Sequence, residues 1–230
     1  MRKLYLIPII HMSADMGSMA STLDDTANAR LTPELWQRHK EIVSVFWDSI
    51  GRFLDSLNVN GFKVYQDGLI ADGAEGRRIV RESISQGSKN YEIVGRLLER
   101  GAALVKAEAL SMIKQEYSYI TKMTRSRSLK EREVAALRYK LARGRLLKQR
   151  DEFMAGRINE TLAAGETGIL FIGAYHNVIN RLDPDIKVAQ VKEVVRVKDY
   201  HKSLINTRRY DPYLQSLGEY LTSPISGVSF

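Results

Sequence analysis

The chain has 230 residues, 44% of them hydrophobic, no cysteine and a formal charge of +8, which suits one α/β domain with a sizeable core. Without cysteine there is no disulfide, thiolate metal site or cysteine nucleophile. No apolar run approaches the roughly 18 residues of a membrane span, and Leu4 to Ile10 is too short for a leader and carries Pro8, so it reads as a first strand. A cytoplasmic protein with no membrane partner is expected.

The charge is concentrated. Between Lys122 and Arg150, eleven Lys or Arg face only Glu131 and Glu133, a local balance of +9 that leaves the other residues near −1. A solvated helix face is the plain reading; a surface for nucleic acid or another acidic partner is the functional one. Tyr139 is the only aromatic residue in the segment, which disfavours single-strand binding by base stacking.

In chain order, Leu4-Tyr5-Leu6-Ile7-Pro8-Ile9-Ile10 is an apolar strand ending on His11, followed by the small-residue loop MSADMGSMAST. Thr32 then looks like the N-cap of a long helix with Pro33 at its first position and apolar residues from Leu35 to Leu57. His39 within it reads as a surface histidine. Phe62 to Tyr65 alternates as a second strand with Asp67 at its end. That carboxylate could be a ligand, a base or a helix cap. Helices follow over Glu75 to Ser85 and Tyr91 to Arg100, and Ala102 to Ala107 forms a short third strand with Glu108 at its exit.

A long basic helix, about Ser128 to Ala164, carries one stripe at Val134, Leu137 and Leu141 and a rotated one at Leu147, Met154, Ile158 and Leu162. This predicts a bend near Gly144, or different packing partners along its length. The two stripes also leave room for a homodimer.

Gly165 to Asn177, GETGILFIGAYHN, is the stretch around which the rest is organised. Four consecutive apolar residues, Ile169 to Ile172, without helical spacing and between glycines, are the mark of a strand covered on both faces of a parallel sheet. His176 follows it, where ligands of such sheets gather. Ile186 to Val191 reads as an edge strand, His201 as a surface residue, and two short helices and a loose tail over 224–230 complete the chain. The fold class is therefore α/β: one domain with a central, mostly parallel sheet flanked by helices and a long basic helical segment, 122–164, before the last core strand.

Gly173-Ala174-Tyr175-His176 matches a Gly-x-x-His motif, the helix before it carries Arg150-Asp151 with a small residue three or four positions on, and a histidine ends the first strand. Together these resemble the TraB/PrgY-like group, which includes the Tiki proteases and is related in fold to the erythromycin esterases and the ChaN haem-binding proteins. The match covers mainly residues 1–11 and 145–180. It departs at Pro8-Ile9-Ile10-His11, where the group has Gly-x-x-His. The resemblance implies a metal-dependent hydrolase of an ester or peptide bond. His11 and His176 would be ligands of a divalent ion (Mn, Zn or Co), Asp67 or Glu108 the acidic partner, and Arg150 a holder of a carboxylate or an oxyanion.

Each of these residues has a plainer reading: strand-end histidines bonded to backbone, Asp67 as a helix cap, Arg150 in a structural ion pair. The competing functions are a non-catalytic ligand-binding protein on the same fold and a nucleic-acid-associated accessory protein using 122–150. No Walker A loop, strand-linked GxGxxG, HExxH or GxSxG occurs, so nucleotide hydrolysis and dinucleotide redox chemistry are not expected.

Overall fold

The computed structural model describes residues 1–10, 31–126, 128–206 and 210–230. Five strands, β1 (Arg2–Ile9), β2 (Lys63–Gln66), β3 (Ala103–Val105), β4 (Thr167–Gly173) and β5 (Ile186–Gln190), make one sheet in the order β3-β2-β4-β1-β5. Every pairing is parallel, and the two longest apolar runs lie side by side, Ile9 opposite Gly173.

The described residues include seven α-helices: α1 (Pro33–Asp55), α2 (Gly73–Ser85), α3 (Lys89–Glu99), α4 (Leu110–Arg125) and α5 (Leu129–Thr161) between strands, and α6 (Val194–Asn206) and α7 (Pro212–Thr222) after β5. Local chemistry sets their starts. Thr32 accepts from the Leu35 N–H before Pro33, Ser88 from Tyr91, Ser128 from Glu131 and Asp211 from Leu214, each satisfying a donor that the helix leaves free.

Strand alternation divides the core. Ile7, Ile9, Ile169 and Phe171 point to the side of α1, α3, α6 and α7, whereas Leu4, Leu6, Leu170 and Ile172 point to Met154, Ala155 and Ile158 of α5. After β1 the chain travels to β2, and after β4 it travels the other way to β5, so the connections diverge between β4 and β1. Such a divergence opens a crevice at the carboxyl ends of the strands.

Several expectations need correction. The long basic helix expected from about Ser128 to Ala164 is α5, Leu129–Thr161, and Lys122 and Arg125 lie at the end of α4 before it. Helix α5 is unbroken at Gly144, so it is the change of packing partner along its length that separates the two stripes. Val134, Leu137 and Leu141 are exposed, at 50%, 58% and 76%, while Met154, Ala155 and Ile158 are core. His39 is buried, with Nδ1 3.0 Å from Tyr200 Oη and its ring stacked between Trp36 and Tyr200. It sits four residues after Leu35 and three before Ile42, on the apolar face, and burial lowers its pKa to about 4. Residues 224–230 have no helix or strand, yet Ile225 packs on the core and the Phe230 ring lies 4.6 Å from that of Tyr5.

Phe171 is fully buried at the centre of the sheet. Phe171→Ala is expected to lose about 3–5 kcal/mol of unfolding free energy, read by urea denaturation; a loss below about 1 kcal/mol would contradict this packing.

Candidate functional site

The carboxyl edge of the sheet gathers a buried polar network. Asp67 follows β2, Glu108 follows β3 and His176 follows β4, and from the middle of α5 Arg150 and Asp151 reach into the same space. Arg150 Nη2 lies 2.5 Å from Asp67 Oδ1 and 2.7 Å from Glu108 Oε1, its Nε donates to the same Glu108 oxygen at 2.9 Å, and Nη1 lies 2.7 Å from Glu116 Oε2 on α4. One guanidinium thus serves three carboxylates with four of its five N–H donors. Of the two roles open to Arg150, holding carboxylates is the one its contacts match.

His176 is gripped from both sides. Its Nδ1 is 2.6 Å from Asp151 Oδ1, and its Nε2 is 3.3 Å from Asp67 Oδ2. Asp151 also accepts the Asn177 N–H at 3.0 Å, and Asp67 accepts the Gly173 N–H at 3.1 Å. The glycine has a physical reason here: a Cβ on Gly173 would stand 3.1 Å from Asp67 Oδ2 and 3.4 Å from His176 Cδ2. A turn closed by the His176 N–H on the Gly173 carbonyl, at 3.1 Å, folds the imidazole back over the strand end. Asp67 caps no helix; α2 starts after Asp72.

Burial and partners set the charges. Burial alone would push the His176 imidazole down, but the hydrogen bonds to Asp151 and Asp67 outweigh it and raise its pKa to about 9. Glu108 is fully buried. Desolvation raises its pKa to about 7, against the pull of Arg150, and its Oε2 has no hydrogen-bond partner. At the rim, Tyr175 has the Arg143 guanidinium 5.4 Å and the Lys198 ammonium 5.3 Å from its ring centroid, with His201 Nδ1 3.2 Å from its hydroxyl.

The structure therefore brings four of the five candidates, Asp67, Glu108, Arg150 and His176, into one network. His11 lies outside the described residues. Two members were not anticipated: Asp151 and Glu116. Asp151 did leave a signal, an acid three, four and seven residues before Met154, Ala155 and Ile158, on the apolar stripe of its helix, where only a partnered carboxylate is tolerated. Glu116 left none, because α4 buries no residue at all.

A divalent ion finds a partial fit. His176 Nε2 and Asp67 Oδ2 face one another as neighbouring ligands of one ion do, Asp151 backs the ring in the manner of an outer carboxylate behind a ligating histidine, and Glu108 Oε2 is a buried acceptor without a donor. Among the described residues no group of three His, Cys, Asp or Glu could hold a metal. Comparison with protein families, curated proteins and solved structures returns no match.

The network fixes a pH response. Because His176 titrates near 9 when folded and near 6.5 when unfolded, its contribution is fully present below pH 6.5 and is lost as pH rises through 9, on the order of 3 kcal/mol. The stability gap between the native chain and His176→Gln is expected to narrow over that window in urea titrations. In Asp151→Asn, whose amide cannot supply the charge, the His176 pKa read by NMR is expected to fall by more than about one unit. An unchanged value would remove Asp151 as the cause.

Proposed function

We propose that the carboxyl edge of the sheet is a hydrolytic site of the TraB/PrgY-like type, acting on an ester or peptide bond with water activated at a divalent ion. The observation that carries this reading is the buried line Asp151–His176–Asp67 joined through Arg150 to Glu108, at the strand ends where parallel sheets keep their ligands. Supporting a network of this density purely for stability would be unusual, since a well-packed apolar set of similar volume is often as stable.

His176 Nε2, Asp67 and His11 would hold the ion, which when bound supplies a lowered water pKa and a polarised carbonyl. Asp151 keeps the imidazole in one tautomer and orientation. Arg150 holds Asp67 and Glu108 at fixed positions and offsets their charge. Glu108, poised near pH 7 and with one oxygen unpartnered, accepts the proton of the attacking water. Arg143 and Lys198 at Tyr175 favour substrates that carry an anionic group.

The second reading is a ligand-binding protein without chemistry. It is favoured by an Arg150 that makes four of its five possible N–H contacts to carboxylates of the protein itself.

Metal content of tag-free protein separates the two. About one Mn, Zn or Co per chain is expected in the native protein and none in His11→Ala or His176→Ala. Because His176 is protonated below about pH 9, ion uptake at pH 8 is expected to release close to one proton, read from the buffer dependence of the calorimetric heat. No uptake of any of the three ions sinks the metallohydrolase and leaves the ligand-binding reading.

A further inference from the structure

Helix α4 and the part of α5 before Arg150 are not part of the core. Helix α4 leaves the carboxyl edge two residues after Glu108 and buries none of its side chains. Helix α5 returns to that edge only at Arg150, and before it only Ala142 and Leu146 are buried, both where α5 meets α4. Neither core cluster takes a residue from 110–149. From Leu129 to Gln149 this is about 30 Å of helix, standing off the edge that carries the site.

Its surface differs from the rest of the molecule in two ways. Elsewhere cations stand both in ion pairs, as Arg2 with Asp183 and Asp185 or Arg78 with Glu75 and Glu82, and outside them, as Arg52, Arg77 and Arg81; the arm is set apart by their density, eleven Lys or Arg against two Glu over 122–150. On the arm, exposed Lys122, Arg125, Lys130, Arg132, Arg138 and Lys140 make no ion pair among the described residues. The arm also carries exposed aliphatic side chains: Val134, Leu137 and Leu141, spaced three and four residues apart along one face of α5, and Leu129 at 76% exposure. A recess of about 700 Å³ between the helices is lined by three cations, Lys122, Lys130 and Arg138, and one carboxylate, Glu131, together with Tyr119 and Val134.

We propose that this arm docks on an anionic lipid surface. Val134, Leu137 and Leu141 enter the boundary between headgroups and acyl chains, the surrounding cations meet lipid phosphates and carboxylates, and the recess takes a headgroup. Both ingredients of interfacial attachment, an aliphatic stripe and a dense flank of Lys and Arg, lie on one helix. A second copy of the chain fits less well, because two such arms would set like charges face to face. Nucleic acid leaves the aliphatic stripe without a use, and Tyr139 is turned to Glu116 by a 2.9 Å hydrogen bond instead of facing outward to stack. No helix of the described residues is long and apolar enough to cross a membrane; attachment is to the surface. The proposal departs from the expectation of no membrane partner on the ground of the exposed stripe. The inference does not depend on hydrolysis.

Sedimentation of the full chain with phosphatidylcholine vesicles, with and without phosphatidylserine, tests it. Binding is expected to be at least about tenfold tighter with the anionic lipid and to fall with added salt. The triple substitution Val134→Ser, Leu137→Ser, Leu141→Ser and, separately, Lys130→Glu with Arg138→Glu are each expected to weaken it at least about fivefold, with circular dichroism and melting unchanged because these side chains are exposed. Equal partition to both vesicles, or none at low salt, overturns the proposal. So does tighter binding to duplex DNA that the serine variant retains, or a dimer in light scattering that the serine variant dissolves.

Discussion

One guanidinium holds the carboxyl edge of this sheet together. Arg150 binds carboxylates from the loop after β2, the loop after β3 and helix α4, and without it Asp67 and Glu108 would lie together in a nearly dry space with His176 alone to offset their charge. Removing one partner from such a cluster leaves an uncompensated buried charge, typically a loss of about 3–5 kcal/mol. The next residue, Asp151, turns the other way to orient His176. Two adjacent residues of α5 thus tie the ends of β2, β3 and β4 to one helix, and the geometry of every other polar group at the edge follows from where that helix lies.

The placement of α5 is in turn a packing result. Its second half is fixed by Met154, Ala155, Ile158 and Leu162 against Leu4, Leu6, Leu170 and Ile172, which sets its height against the sheet. At that height Arg150 and Asp151 arrive level with the strand ends. The first half then has no sheet left to cover and continues beyond the edge with α4 alongside. The arm and the site are two consequences of one helix longer than the sheet it packs on.

Much of this was legible in the sequence, for identifiable reasons. The unbroken apolar run from Ile169 to Ile172 specified a two-sided parallel strand, and Asp67, Glu108 and His176 were legible as strand-end residues because the turns after β2, β3 and β4 are short. Arg150 was visible only through the Arg150-Asp151 pair. Tertiary contacts decided the rest. His39 looked like a surface residue on a charged helix until α6 brought Tyr200 against it, and the Val134 stripe was legible as an apolar face but not as an uncovered one, because periodicity records a face and not whether anything covers it. The order β3-β2-β4-β1-β5, with β4 inserted beside β1, depends on pairings between residues far apart in the chain, which no local pattern encodes.

The central claim is that this edge is a place of chemistry and not a set of structural ion pairs. Anomalous diffraction from crystals grown with manganese addresses it most directly. The account predicts a single peak within about 2.5 Å of His176 Nε2 and an Asp67 oxygen, with the Asp151 contact to Nδ1 kept. Crystals in which manganese binds only elsewhere, or nowhere, while Arg150, Asp67, Glu108 and His176 keep their mutual contacts, would contradict it and leave the network a structural one.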